Sequence, residues 1–128
     1  MAAFSNAMEE MIINHFFRGI AQTSPASVYL ALYSSDPGDD NSGSELVGSG
    51  YVRKAFTFGA PVNGTASNDA DIMFDAATAN WPVVSHLAVY DALTGGTMLV
   101  HGALSSPVQV NDGDNFRIAA GNLVIGVD

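Results

Sequence analysis

The carboxylates are the residues with the most chemical potential in this chain. They fall into three clusters: Asp36, Asp39, Asp40 and Glu45; Asp69, Asp71 and Asp75; and Asp112 with Asp114. Hard cations such as calcium bind oxygen ligands of this kind in flexible loops. The first cluster does not match an EF-hand, because Pro37 and Gly38 interrupt the alternate-position ligands, so it reads as a solvated loop and no metal site is assigned. Paired carboxylates also carry out glycoside hydrolysis. In turns of this composition, however, Asp caps local backbone N–H groups, and a carbohydrate-binding or hydrolytic domain is the weakest functional reading.

The other candidates for chemistry are fewer. A hairpin with its loop at Ala92 to Gly95 would set His86 opposite His101, but two imidazoles lack the third ligand and open position of a zinc site. His15 has no metal-ligand companion at i+4. Gly43-Ser44 and Gly48-Ser49-Gly50 lack the Lys and the helix that would make a phosphate-binding loop, and no Ser sits in a Gly-x-Ser-x-Gly turn. Asn63-Gly64-Thr65 matches a glycosylation acceptor, which carries little weight without an export signal. The expectation is a protein with no catalytic residue, no cofactor, no metal and no small-molecule substrate.

Composition narrows the class further. The 128 residues suit one domain, 1–128, able to bury roughly two thirds of the surface its unfolded chain exposes. Only 13% of residues are charged while 48% are apolar, so the exterior must be weakly charged, a composition that suits burial against partner chains. Arg18, Arg53, Lys54 and Arg117 face thirteen acids, and the net charge of −9 argues against nucleic-acid binding. No cysteine is present, and Glu9 and Glu10 stand where a signal peptide would carry basic residues. No segment approaches the ~20 uninterrupted apolar residues of a membrane span.

The elements that must position these residues are mostly strands. Residues 86–104 read as a β-hairpin, with Leu87 and Val89 alternating before Thr94-Gly95-Gly96 and with Met98 and Val100 after it. Both faces of each strand are apolar, so one should meet a core and the other a neighbouring element or chain. A helix is expected over residues 6–18, with Asn6 and Glu9 as a capping box and Arg18-Gly19 as its close. Its apolar face, from Met8, Met11, Ile12, Ile13, Phe16, Phe17 and Ile20, is wider than a surface helix needs, so it either packs across a sheet or docks on a neighbouring subunit.

Strands are also expected at 27–33, 51–58 and 71–74, in segments flanking the Asn111-Asp112-Gly113-Asp114 turn (107–110 and 115–119), and at the alternating Leu123, Ile125 and Val127. Between the first two, residues 34–50 read as a long exposed loop. About eight short strands with one N-terminal helix describe an all-β fold, an antiparallel β-sandwich or jelly roll over about 26–128. Ile13, Phe16, Phe17, Tyr51 and Trp81 are candidate interface residues, because aromatics are enriched at interface cores; packing within the subunit would account for them equally well.

Taken in order, FFRGIAQTSP, VYLALYSSDPGDD, GSGYVRKAFTFGAP, HLAVYDALTGGTMLVHGAL and NDGDNFRIAAGNLVIGVD resemble a family of small virion proteins of tailed bacteriophages, described as capsid decoration (cement) proteins and loosely as tail fibre proteins. The resemblance implies a β-sandwich or jelly-roll subunit without enzymatic activity that assembles with itself and with other virion proteins. Within that class the favoured expectation is a cement protein. It would fold in the host cytoplasm and dock on the outer capsid surface as a small homo-oligomer, stabilising contacts between major capsid protein subunits. A tail fibre or baseplate component, with the loop at 34–50 meeting a receptor or a fibre segment, is the alternative.

Overall fold

The structure, a computed structural model, describes residues 2–127. A short strand β1 (Ala3–Phe4) leads into helix α1 (Asn6–Phe17), followed by β2 (Val28–Tyr33), β3 (Lys54–Phe56), β4 (Thr65–Ser67), β5 (Ile72–Met73), β6 (Val84–Tyr90), β7 (Met98–Val108), β8 (Arg117–Ile118) and β9 (Val124–Gly126). Five strands form an antiparallel sheet in the order β1-β7-β6-β2-β3, and two ribbons, β4-β9 and β5-β8, form the facing layer. The fold is the all-β antiparallel sandwich that the alternation predicts, with its second layer split.

Period-2 alternation decides the packing. Leu30, Leu32, Leu87, Val89 and Val100 point from one face of the sheet into a core completed by Ile72, Phe74, Trp81, Val110, Phe116 and Leu123. Phe74 is its hub, with ring centroids 6.1 Å from stacked Tyr51 and 5.7 Å from edge-on Phe116. Ala31, Tyr33, Ala88, Tyr90 and Met98 form a second buried cluster on the opposite face. The central strands are therefore covered on both sides, which explains the apolar content of both their faces.

Several expectations need correction. The cap of α1 is Ser5 rather than Asn6: its Oγ accepts from the Met8 N–H at 3.1 Å, while Arg18 lies just outside the helix. The segment 51–58 is strand only at Lys54–Phe56, because Tyr51 and Arg53 turn inward to polar partners. His86 faces Ala103 and His101 faces Ala88, because the turn runs from Asp91 to Thr97 and the ladder shifts register between Val89 and Tyr90. Gly95 and Gly96, at φ 61° and 73°, supply the positive φ this turn requires.

Residues 107–110 and 115–119 do not pair with each other. β8 joins β5, and Val110 and Phe116 enter the core on either side of the turn at Gly113. Nor is the loop at 34–50 exposed throughout. Pro37 and Leu46 are buried, Glu45 bridges to Tyr33, and the Leu46 N–H donates to the Leu32 carbonyl at 2.9 Å. A Cβ on Gly43 would stand 2.5 Å from the Asp36 carbonyl oxygen, so the loop closes tightly on itself there.

Candidate assembly surface

Helix α1 is held firmly at its N-terminal end. Buried Ser5 caps it and also donates through Oγ to the Met98 carbonyl at 2.5 Å, its N–H donates to the Leu99 carbonyl at 2.9 Å, and the Asn6 N–H donates to the Asp39 carbonyl at 3.0 Å. The last turn closes at Gly19, φ 69°, which lets the Ile20 N–H reach back to the Asn14 carbonyl at 2.9 Å. Met8, Met11 and Ile12 lean towards Leu99, Pro25 and Asp91 and line an open groove of about 280 Å³.

The rest of the apolar face lies largely in solvent. No residue of α1 is buried; Ile13 is 52% exposed, Phe16 72%, Phe17 79% and Ile20 42%. Three of the five candidate interface residues, Ile13, Phe16 and Phe17, therefore lie together on one solvent-facing stripe. The other two do not join them. Trp81 is buried and donates through Nε1 to the Ser49 carbonyl at 2.8 Å, and Tyr51 packs edge-on against it with ring centroids 5.7 Å apart. Both serve the core of the chain itself.

On the opposite face of the sheet from that core, a polar network fixes the acidic loop to the β6–β7 turn. The Arg53 guanidinium grips Glu45 with two hydrogen bonds of 2.8 Å, donates through Nη1 to the carbonyls of Ala92 at 2.9 Å and Gly95 at 2.8 Å, and stacks 3.7 Å over the Tyr90 ring. Burial pulls the Arg53 pKa down, but the hydrogen bond and charge of Glu45 outweigh it and hold the pKa above the ordinary value. The Tyr51 hydroxyl donates to the same carboxylate at 2.6 Å and accepts from the Leu32 N–H at 3.1 Å. Burial first, and then the Glu45 hydrogen bond, push the Tyr51 pKa far upward.

Tyr33, Asn41 and Tyr90 close a cycle in which each side chain donates once and accepts once. The Tyr33 hydroxyl donates to Asn41 Oδ1 at 2.7 Å, Asn41 Nδ2 donates to the Tyr90 hydroxyl at 2.8 Å, and Tyr90 returns a hydrogen bond to Tyr33. Burial, with the Tyr90 hydroxyl second, raises the Tyr33 pKa strongly. None of this network was visible in the sequence. Arg53 contacts carbonyls 39 and 42 residues away, and nothing local marks it as buried.

Five more carboxylates are occupied in pairs and turns. Asp39 meets His101 Nε2 at 2.7 Å, Asp71 meets Arg117 at 2.7 Å and Asp75 meets Lys54 at 2.9 Å; Asp69 accepts from Thr57 at 2.6 Å and Asp114 from the Asn111 N–H at 3.1 Å. Among the described residues no three His, Cys, Asp or Glu side chains gather where they could hold a metal ion. A cleft of about 850 Å³ opens beside β7 and β8, but its Gln109, Asn115 and Arg117 side chains are engaged by Trp81, Phe74 and Asp71 respectively.

A family model described as podophage GP4 fiber I protein gp80 matches residues 3–126, nearly the whole chain. The chain belongs to this family. Membership makes it a structural protein of a phage virion, in line with the resemblance read from the sequence. No curated protein matches the chain. On this gp80-family subunit, α1 carries Ile13, Phe16 and Phe17 in solvent on a helix pinned at its N-terminal end.

Proposed function

We propose that this gp80-family chain is a non-enzymatic fibre subunit that joins its assembly through the exposed apolar face of α1. The observation that carries this reading is the exposed stripe of Ile13, Phe16 and Phe17, continued by Ile20 just past the helix end, on a helix whose N-cap Ser5 is pinned to β7. Large apolar side chains left in water on a rigid element favour burial against another chain, and the driving force scales with the area removed from water. The fibre description of the family supports a tail location over the outer capsid favoured from sequence. On this reading the partners are other fibre or tail chains rather than the major capsid protein.

Capsid decoration remains a second reading, favoured by the compact sandwich, which supplies no reach of its own. Quantitative protein analysis of purified particles, combined with immunogold labelling, separates the two. A fibre subunit gives a low copy number and label confined to the tail. Label spread over the shell, in simple ratio to the major capsid protein, overturns the fibre reading.

A further inference from the structure

We propose that Asn63-Gly64 is a self-modifying site, at which the Asn63 side-chain amide is lost as ammonia and the main chain is rerouted through the side chain. The pair forms the two-residue turn of a hairpin. Val62 and Thr65 exchange backbone hydrogen bonds of 2.8 and 3.1 Å across it, and Asn63 and Gly64 take φ of 52° and 78°. Such a turn demands positive φ at both central residues, which asparagine followed by glycine supplies readily. Both residues are exposed.

The chemistry needs only water. The Gly64 backbone nitrogen attacks Asn63 Cγ; the N–Cγ bond forms, the Cγ–Nδ2 bond breaks, and ammonia leaves carrying the Gly64 amide proton. Water then opens the resulting five-membered imide. Attack at Cγ gives aspartate at position 63, and attack at the main-chain carbonyl carbon gives isoaspartate, whose main chain runs through Cβ and Cγ. Glycine favours the first step because no Cβ crowds the attacking nitrogen.

The fold selects this asparagine among nine. At five of the others the nitrogen that would attack is already a hydrogen-bond donor. Ser42 donates to the Pro37 carbonyl at 2.7 Å, Asp69 to that of Thr57 at 3.2 Å, Trp81 to that of Val110 at 2.8 Å, Asp112 to Asn80 Oδ1 at 2.8 Å and Leu123 to Asn68 Oδ1 at 2.9 Å. Asn6 and Asn14 lie in α1, and Asn115 Nδ2 is held by the Phe74 carbonyl at 2.8 Å. Among the described residues, neither the Gly64 N–H nor the Asn63 side chain has a hydrogen-bond partner.

The turn also sits where a change is felt. The Gly64 carbonyl accepts from the Val127 N–H at 2.8 Å, next to the pairing of Thr65 with Gly126, and a Cβ on Gly64 would stand 2.8 Å from the Val127 carbonyl oxygen. Turn length fixes hairpin register, so the extra main-chain carbon of isoaspartate loosens the β4–β9 ribbon. Each conversion also adds a negative charge.

Ageing the full chain in mildly alkaline buffer tests the site, with peptide mapping, isoaspartate detection by an isoaspartyl methyltransferase, and amide exchange on the aged chain. The expected result is loss of the amide at Asn63 ahead of every other asparagine, with ammonia released in equal amount. Exchange at residues 65–67 and 124–127 should be about tenfold faster in the isoaspartate fraction. Asn63→Gly keeps the turn and abolishes the early release of ammonia. An Asn63 that keeps its amide while another asparagine converts, or that converts only when the chain is unfolded in urea, overturns the site. Unchanged exchange in the isoaspartate fraction overturns the effect on the ribbon.

Discussion

Arg53→Met is the most informative single change inside the subunit. Arg53 is buried at 8% exposure, and its removal strips Glu45 of both guanidinium hydrogen bonds and leaves the Ala92 and Gly95 carbonyls without their donor. Breaking a buried pair by removing one partner costs 3–5 kcal/mol in general, and the 24% exposure of the Glu45 side chain lets water recover part of that, giving a cost of about 3 kcal/mol here. With a urea slope of roughly 1.5 kcal/mol per molar, the unfolding midpoint should fall by roughly 2 M. The assay reads itself, because Trp81 is the only tryptophan and is buried against Ser49. Pairing Arg53→Met with Glu45→Leu should regain part of the loss, since the orphaned carboxylate goes too, though the Tyr51 hydroxyl then lacks its acceptor. An Arg53→Met midpoint within about 0.3 M of the parent would refute the latch as a source of stability.

Three further outcomes follow from the same geometry. Folding raises the pKa of Tyr33 and Tyr51, so the unfolded chain releases these protons first, near the ordinary tyrosine value of about 10; stability present below that pH is lost as pH rises above it. The loss is about 1.4 kcal/mol per pH unit for each tyrosine; urea midpoints measured upward from about pH 9 should show it, and Tyr51→Phe should halve its slope, leaving the part due to Tyr33. Ser5→Ala removes both the helix cap and a buried donor to Met98, and should cost about 2 kcal/mol by urea titration. Asn68 is buried and bridges the Ala70 and Ala119 carbonyls and the Leu123 N–H, so Asn68→Ala should cost about 3 kcal/mol, lowering the thermal midpoint accordingly.

How much of this was legible beforehand varied with the range of the interactions. β2 and the β6–β7 hairpin announced themselves through alternation, and the Gly95-Gly96 turn through its chemistry, because these features depend on residues a few positions apart. The hairpin register did not. It turns on Asp91, whose Oδ1 accepts from the Thr97 N–H at 2.7 Å and closes a longer turn than the glycines alone imply. The helix cap was misplaced by one residue because Ser5 and Asn6 are both good caps and only Ser5 has a second partner, Met98, across the fold. The loop at 34–50 looked solvated by composition, yet Pro37, Glu45 and Leu46 tie it to the sheet through contacts no local pattern encodes.

The proposed assembly surface was half visible. The unusual width of the α1 apolar face is a property of spacing alone, and it pointed to Ile13, Phe16 and Phe17 as well as to the residues that contact the sheet. Which half would remain uncovered depends on the anchor at Ser5 and on the return of residues 22–25 beside Met8 and Ile12. Tyr51 and Trp81 carried the same aromatic signal and went to the core instead, because residue type alone does not distinguish an interface anchor from a core anchor.

The central claim is that the exposed face of α1 joins this fibre-family subunit to its assembly. It is tested most directly by supplying phage that lack their own copy of this chain with either the parent chain or a Phe16→Ser, Phe17→Ser variant, and measuring how much of each is recovered in purified particles. Both positions are solvent-facing in the subunit, so the variant should fold with an unchanged urea midpoint and yet be missing from the particles. A folded variant recovered at the parent copy number would contradict the account.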